Sequence, residues 1–234
     1  MFIPPIGLVK KKGPPPPAVA FVGITGTTAS AGATLNLSLP GGVIEGDLLI
    51  AFMKTGRGNP GQSWTANDGA FAEHFDDGIN YGTDDWDTAC YSKVAGPAES
   101  GPYGFQNSQG MGQRQGMMVA YRNQNRTPFD VSPSIDLPGG SGTSFNIAGV
   151  SPATADGLLV LCELRERDGG AGSAQTPTVN PATLRLWQQD SIDPALAMGV
   201  FDEQLLASGP TGTRNIQYAV NSSMAAFRLV IARA

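Results

Sequence analysis

Glycine and proline interrupt this sequence so often that a long helix has nowhere to form. There are 31 glycines and 18 prolines among 234 residues, and both types destabilise a helix interior. The best helical stretch, Asp202-Glu203-Gln204-Leu205-Leu206-Ala207, is too short to hold together alone. Between the breakers the chain keeps many Leu, Val, Ile and Phe residues, which a disordered chain lacks. Charged residues are scarce, 15% against roughly 25% in ordinary proteins. Short buried segments separated by turn residues predict an all-β fold, an antiparallel β-sandwich of jelly-roll type.

The strand pattern begins after Val19. Thr34-Leu35-Asn36-Leu37-Ser38-Leu39 alternates polar and apolar, the period of a half-buried strand. Asp47 to Met53 is a continuous apolar run, as is expected of a sandwich-core strand. Ala89 to Ala95 and Met117 to Tyr121 read as further strands. The order then recurs. Ser144 to Ile147 alternates like the Leu35 segment, and Gly157-Leu158-Leu159-Val160-Leu161 matches Asp47-Leu48-Leu49-Ile50-Ala51. Leu184 to Trp187 takes the place of the Trp64 region, and Ala195 to Phe201 that of Ala89 to Val94. Ile216 to Val220 alternates, and Ala225 to Ile231 closes the chain as Met117 to Arg122 closes the first half. The offset of about 110 residues marks a weak internal duplication.

Residues 19–234 are therefore expected to be sandwich, with pseudo-repeats over about 34–123 and 144–234. Two arrangements fit. Each half is its own small sandwich, or the halves interleave into a single jelly roll. The second is expected, because each half offers few clear strands and Asn123 to Gly142 lacks linker character.

Residues 1–18 are different. Pro4, Pro5 and Pro14 to Pro17 exclude a helix, and the four consecutive prolines favour a stiff polyproline II stem. Ahead of the stem sit Phe2, Ile3, Ile6, Leu8 and Val9. An apolar tail in water is a liability, so this segment is read as a docking arm that inserts into a partner or a neighbouring copy.

The net charge of −5 gives no general attraction for phosphate backbones, and Lys10, Lys11 and Lys12 read as a solubilising patch. No nucleic acid and no membrane insertion is expected, since no apolar stretch is long enough to cross a bilayer. The N-terminus lacks the charge order of a signal peptide. Cys90 and Cys162 lie in apolar strands and read as buried thiols.

Catalytic signals are weak. His74 is the only histidine, and no Gly-x-Ser-x-Gly elbow accompanies it. The acidic stretch Asp68 to Asp87 reads as a loop without the spacing of a calcium site. No enzyme activity, cofactor or metal is expected. Within that loop Tyr81 and Trp86 lie beside Asp84 and Asp85, the residue types that bind sugars. Against this, Trp86 also fits as the first residue of the next strand. Trp64 and Trp187 are expected in the core.

The stretch Leu39 to Phe52, LPGGVIEGDLLIAF, resembles a recurrent β-sandwich domain of bacteriophage tail and fibre proteins and of some bacterial surface proteins. In that group a Pro-Gly-Val turn precedes Gly-Asp-Leu-Leu and a strand. A Trp-Thr pair follows, here Trp64-Thr65, then strands like Cys90 to Gly96 and Val119 to Arg122. Asp156 to Val160 and Ala225 to Ala234 continue the likeness, which covers nearly all of the chain after Phe21. The resemblance implies a virion structural protein: a tail, tail-tip or fibre component, or a capsid decoration. It would be held to other virion proteins by its arm and assembled as a trimer or hexamer on the symmetry of the particle. It brings no catalytic residues. The sequence departs from the group in the arm and in Asp68 to Asp87, where its individual role is expected. The second expectation is a carbohydrate-binding adhesion module that reads host surface glycans through Tyr81, Asp84, Asp85 and Trp86.

Overall fold

The computed structural model describes residues 16–29, 32–56, 63–79, 86–108, 112–137, 141–167, 176–190 and 195–234. All of its strand pairings are antiparallel. The first repeat contains β1 (Ala20–Ala29), β2 (Thr34–Leu37), β3 (Leu48–Thr55), β4 (Trp64–Ala66), β5 (Ala72–Ile79), β6 (Trp86–Val94), β7 (Tyr103–Asn107) and β8 (Arg114–Arg122). They form a five-stranded sheet in the order β1-β8-β3-β6-β5 and a small sheet in the order β2-β7-β4.

The second repeat contains β9 (Gln124–Asp136), β10 (Ser141–Ile147), β11 (Leu158–Arg167), β12 (Thr178–Val179), β13 (Thr183–Gln189), β14 (Ala195–Gln204) and β15 (Arg214–Arg233). Its large sheet runs β9-β15-β11-β14-β13, the same order as in the first repeat. The front of β15 pairs with β10 and β12, as β7 pairs with β2 and β4. One long strand thus does the work of β7 and β8 together. Each repeat is a two-sheet unit with jelly-roll strand order.

The all-β antiparallel sandwich is the observed fold, with the duplication visible in the register. The expected interleaving is not observed: among the described residues no strand of one repeat pairs with a strand of the other. The reason is that each repeat is complete. One strand of each, β5 in the first repeat and β9 in the second, lies in a segment read as loop or connection. β5 is acidic and partly exposed, and β9 carries Pro128 and Pro133. Both lie at sheet edges, where proline and charge are tolerated because one side of the strand makes no ladder.

The layers explain the continuous apolar runs. In β3, Leu48, Ile50 and Phe52 face the other repeat, while Leu49, Ala51 and Met53 face their own small sheet. In β11, Leu158, Val160, Cys162 and Leu164 face the first repeat, and Leu159 and Leu161 face inward. A strand buried on both faces has no polar side to alternate with. The result is four layers, with the two large sheets packed face to face. At their centre Phe227 lies 5.5 Å from both Phe52 and Phe75, ring centre to ring centre. Cys90 and Cys162 are buried free thiols in this core.

The two ends of the sandwich differ. The strand ends that flank residues 57–62, 80–85, 109–111, 168–175 and 191–194 all lie at one end. At the other end the chain enters, crosses between repeats and finishes. Asn123, with φ of 66°, makes the crossover, and its side chain donates to the Ala18 carbonyl at 3.0 Å. The Ala234 amide donates to the Asn123 carbonyl at 3.0 Å. Arg233 pairs with Asp156 and donates to the Pro16 carbonyl. Nearby, Arg122 grips Asp47 through two nitrogens, at 2.7 and 2.8 Å.

Because the repeats share their largest core, they should unfold together. Phe227→Ala should cost about 3–5 kcal/mol in denaturant unfolding. The transition should stay single whether it is followed by tryptophan fluorescence or by far-UV circular dichroism.

Candidate functional site

Of the residues singled out by sequence, Phe2, Ile3, Ile6, Leu8, Val9, Tyr81, Asp84 and Asp85 lie outside the described residues. Trp86 lies within them, as the first residue of β6, and is fully buried. Its ring packs in the central core, with the Lys54 ammonium 3.7 Å from its centre. Neither face is open to a sugar, so the strand-opening role holds and the aromatic plate does not. Trp64 is buried as expected. Trp187 is half-buried and lies over Gly199, where a β-carbon would come within 3.0 Å of the indole.

The only histidine has a serine beside it. His74 Nε2 and Ser92 Oγ are 2.7 Å apart, which resembles half of a catalytic triad. Register gives a different meaning. Ile50 pairs with Ser92, and its counterpart Val160 pairs with Asp202. His74 sits in the bulge of β5 between Glu73 and Phe75, and Arg185 sits in the matching bulge of β13 between Leu184 and Leu186. The His74–Ser92 pair therefore occupies the position of the Arg185–Asp202 ion pair, 2.8 Å long. Both bulged residues stack on the edge strand of the opposite repeat. His74 meets Phe129 edge to face at 4.9 Å, and the Arg185 guanidinium lies 4.5 Å from the Phe21 ring centre. Phe21 pairs with Tyr121, and Phe129 with Ile231, at corresponding positions. These are two copies of one seam. Burial disfavours the charged ring and lowers the His74 pKa.

The chemically unusual region is a layer of buried charge at the end away from the termini. Lys54 follows Leu48, Ile50 and Phe52 on the central face of β3 and is fully buried. Its ammonium donates to the Arg165 carbonyl at 2.8 Å and lies 4.0 Å from the Glu166 carboxylate. Burial lowers its pKa to about 8, against the opposing pull of Glu166, Glu163 and Asp190. Glu163 and Arg165 point the other way, into the second repeat. Burial raises the Glu163 pKa to about 7, partly offset by the hydrogen bond from the Tyr218 hydroxyl and by the charges of Arg165 and Lys54. The Arg165 guanidinium lies between Trp187 and Tyr218, 5.0 and 4.9 Å from their ring centres. Gln115 donates across the interface to the Gln188 carbonyl at 3.0 Å. Charges this deep require partners, and here the partners come from both repeats. The layer therefore fixes how the two large sheets sit on one another. Sequence reasoning passed over Lys54, Glu163, Arg165 and Glu166. Their signal was a charge at a position where alternation demanded an apolar residue.

The duplication also exposes a gap. Ala72 pairs with Ser92 and Thr183 with Asp202, so Phe71 corresponds to Ala182. Gln106 pairs with Thr65 and Gln217 with Thr178, so Trp64 corresponds to Pro177. The sequence expectation that Leu184 to Trp187 replaces the Trp64 region is thereby corrected. In the first repeat Phe71 closes the sandwich edge, 5.2 Å from the ring centres of both Tyr103 and Phe105. In the second repeat the region around Ala182 is an open cleft of about 340 Å³, lined by Pro177, Val179, Ala182, Leu184 and Phe201, with Thr178 and Asn180 among its other residues.

Among the described residues no cluster of His, Cys, Asp or Glu could hold a metal ion. No family model, curated protein or solved structure matches the chain.

Two measurements test this account. Trp86→Ala should lower stability by about 3–5 kcal/mol, because its ring is core. Glu163 binds its proton more tightly when folded than in an unfolded chain, so the folded state loses stability as pH rises from about 4.5 to about 7. The loss should be at most roughly 3 kcal/mol, and Glu163→Gln, compared with the parent by urea unfolding across that range, should remove it.

Proposed function

We propose that this chain is a non-enzymatic structural protein of a bacteriophage particle, a tail or fibre component or a capsid decoration. Its arm joins it to the assembly, and the double sandwich is held outward. The observation that carries this reading is the polarity of the molecule. The root of the arm at Pro16 to Ala18, the crossover at Asn123 and the last residue Ala234 are tied together at one end. The strand ends that carry residues 57–62, 80–85 and 168–175 are at the opposite end. A body attached by one end and open at the other suits a displayed module.

Further support comes from what the buried groups do. The His74–Ser92 pair has a purely structural counterpart in Arg185–Asp202. Lys54 is spent on joining the repeats, and Glu163 and Arg165 are held by Tyr218 and Trp187 inside the second one. The resemblance of Leu39 to Phe52 to phage sandwich domains points the same way. A sugar-binding role would have to do without the stacking surface of Trp86, which is buried.

The test is quantitative mass spectrometry of particles purified from the source. The protein should be present at a fixed ratio to the major capsid protein, near one or a simple fraction for a decoration and a few copies per particle for a tail part. Its absence from particles would overturn the reading. Removing residues 1–17 should abolish incorporation while leaving the melting temperature of the sandwich within a few degrees of the parent.

A further inference from the structure

The cavity of the second repeat has a built-in reference, because the same fold in the same chain shows what belongs there. The first repeat fills the position with the phenyl ring of Phe71, packed edge-on against Tyr103 and Phe105. The second repeat keeps the surrounding frame, including the bulge in its edge strand. It replaces Phe71 by Ala182 and Trp64 by Pro177. Phe201, which takes the register position of Tyr91, remains as an aromatic wall. Thr178 and Asn180 are exposed beside the apolar lining and offer hydrogen bonds to an incoming backbone. The cleft is open to solvent, and apolar side chains left uncovered in it are a liability unless something covers them. The shape left by the missing ring selects an aromatic side chain on a peptide.

The chain carries one such peptide beyond its sandwich. Residues 1–9, MFIPPIGLV, contain a single aromatic, Phe2, among Ile3, Ile6, Leu8 and Val9. The arm leaves the sandwich at Pro16 to Ala18, immediately before β1. β1 lies along β13 at one seam, and Leu184 of β13 lines the cavity. Root and cavity thus share a side of the molecule. An extended arm spans about 40 Å between Phe2 and Pro16, at roughly 3.1 Å per residue. The prolines 14–17 favour an extended stem that carries the head away from its own sandwich.

We propose that Phe2 of one copy inserts into the cavity lined by Ala182, Leu184 and Phe201 in a neighbouring copy. The arm is then the joint by which copies of this chain assemble. Such a contact is heterologous, because an arm meets a cavity and not another arm, so repetition produces a ring when the rotation closes. The inference rests on the reading of the arm as an anchor. Particle incorporation reports on that reading and self-association reports on this one, so the two can fail separately.

The experiment is sedimentation velocity on the full chain and on two variants, Phe2→Ala and Ala182→Phe. The parent should sediment as an oligomer. Each variant alone should sediment as a single chain, with the circular dichroism spectrum of the parent. Ala182→Phe restores the residue that the first repeat holds at this position. Mixed in equal amounts, the variants should form a heterodimer, because one still supplies Phe2 and the other still supplies the cavity. If Ala182→Phe does not fold, a peptide of residues 1–12 takes its place. The peptide should dissociate the parent oligomer, and its Phe2→Ala version should not. A monomeric parent, variants that associate like the parent, or a mixture that stays monomeric would each overturn the proposal.

Discussion

The packing of two five-stranded sheets against each other is the contact on which the rest of this molecule depends. It buries Phe52, Met117 and Val119 from one repeat against Val160, Met198 and Phe227 from the other. Each large sheet is thereby covered on both faces, by its partner sheet and by its own small sheet. That condition accounts for the continuous buried apolar runs Leu48 to Met53 in β3, Met117 to Tyr121 in β8, Leu158 to Cys162 in β11 and Met224 to Phe227 in β15. It also makes the repeats interdependent, since neither could leave its central face in water.

A face made only of apolar side chains would hold the two sheets together without fixing their relative position. The polar contacts supply that position. At the seams, Arg185, held by Asp202, lies on Phe21 of the opposite repeat, and His74, held by Ser92, meets Phe129. At the end away from the termini, Lys54 reaches across to the carbonyl of Arg165. These groups are expensive to bury and give little net stability. Their value lies in excluding sliding and rotated arrangements that the apolar contacts would tolerate. Duplication accounts for the symmetry of this scheme, and divergence for its chemical differences. A histidine and a serine in one seam do what an arginine and an aspartate do in the other.

Much of the fold was legible in the sequence, because the strongest signals belong to strands buried on both sides. Leu48 to Met53 and Leu158 to Leu161 could hardly be anything else, and the spacing between them disclosed the duplication. β5 and β9 were not legible. Edge strands are paired along one side only, so they accept the acids of Ala72 to Ile79 and the prolines of Gln124 to Asp136, which read as loop. The separation of the repeats was missed with them, since units of eight and seven strands cannot be counted from the strands of the core alone. The site residues were harder still. Trp86 carries the same letters whether it faces a sugar or a lysine. The correspondence between Phe71 and Ala182 depends on a bulge that only the register reveals.

The joint at the base has a mechanical consequence. A load on the arm enters the sandwich at Ala20, the first residue of β1, and runs along that strand. β1 is bonded to β8 over its whole length, from Ala20 opposite Arg122 to Ala29 opposite Arg114. The hydrogen bonds of an antiparallel ladder lie across the strands, so tension along β1 shears them together and does not peel them one at a time. At the point of entry, Arg233 and Asn123 tie the root to the last strand and to the crossover, so force reaches both repeats at once. Tension applied at the root of β1 is therefore resisted until many bonds give together.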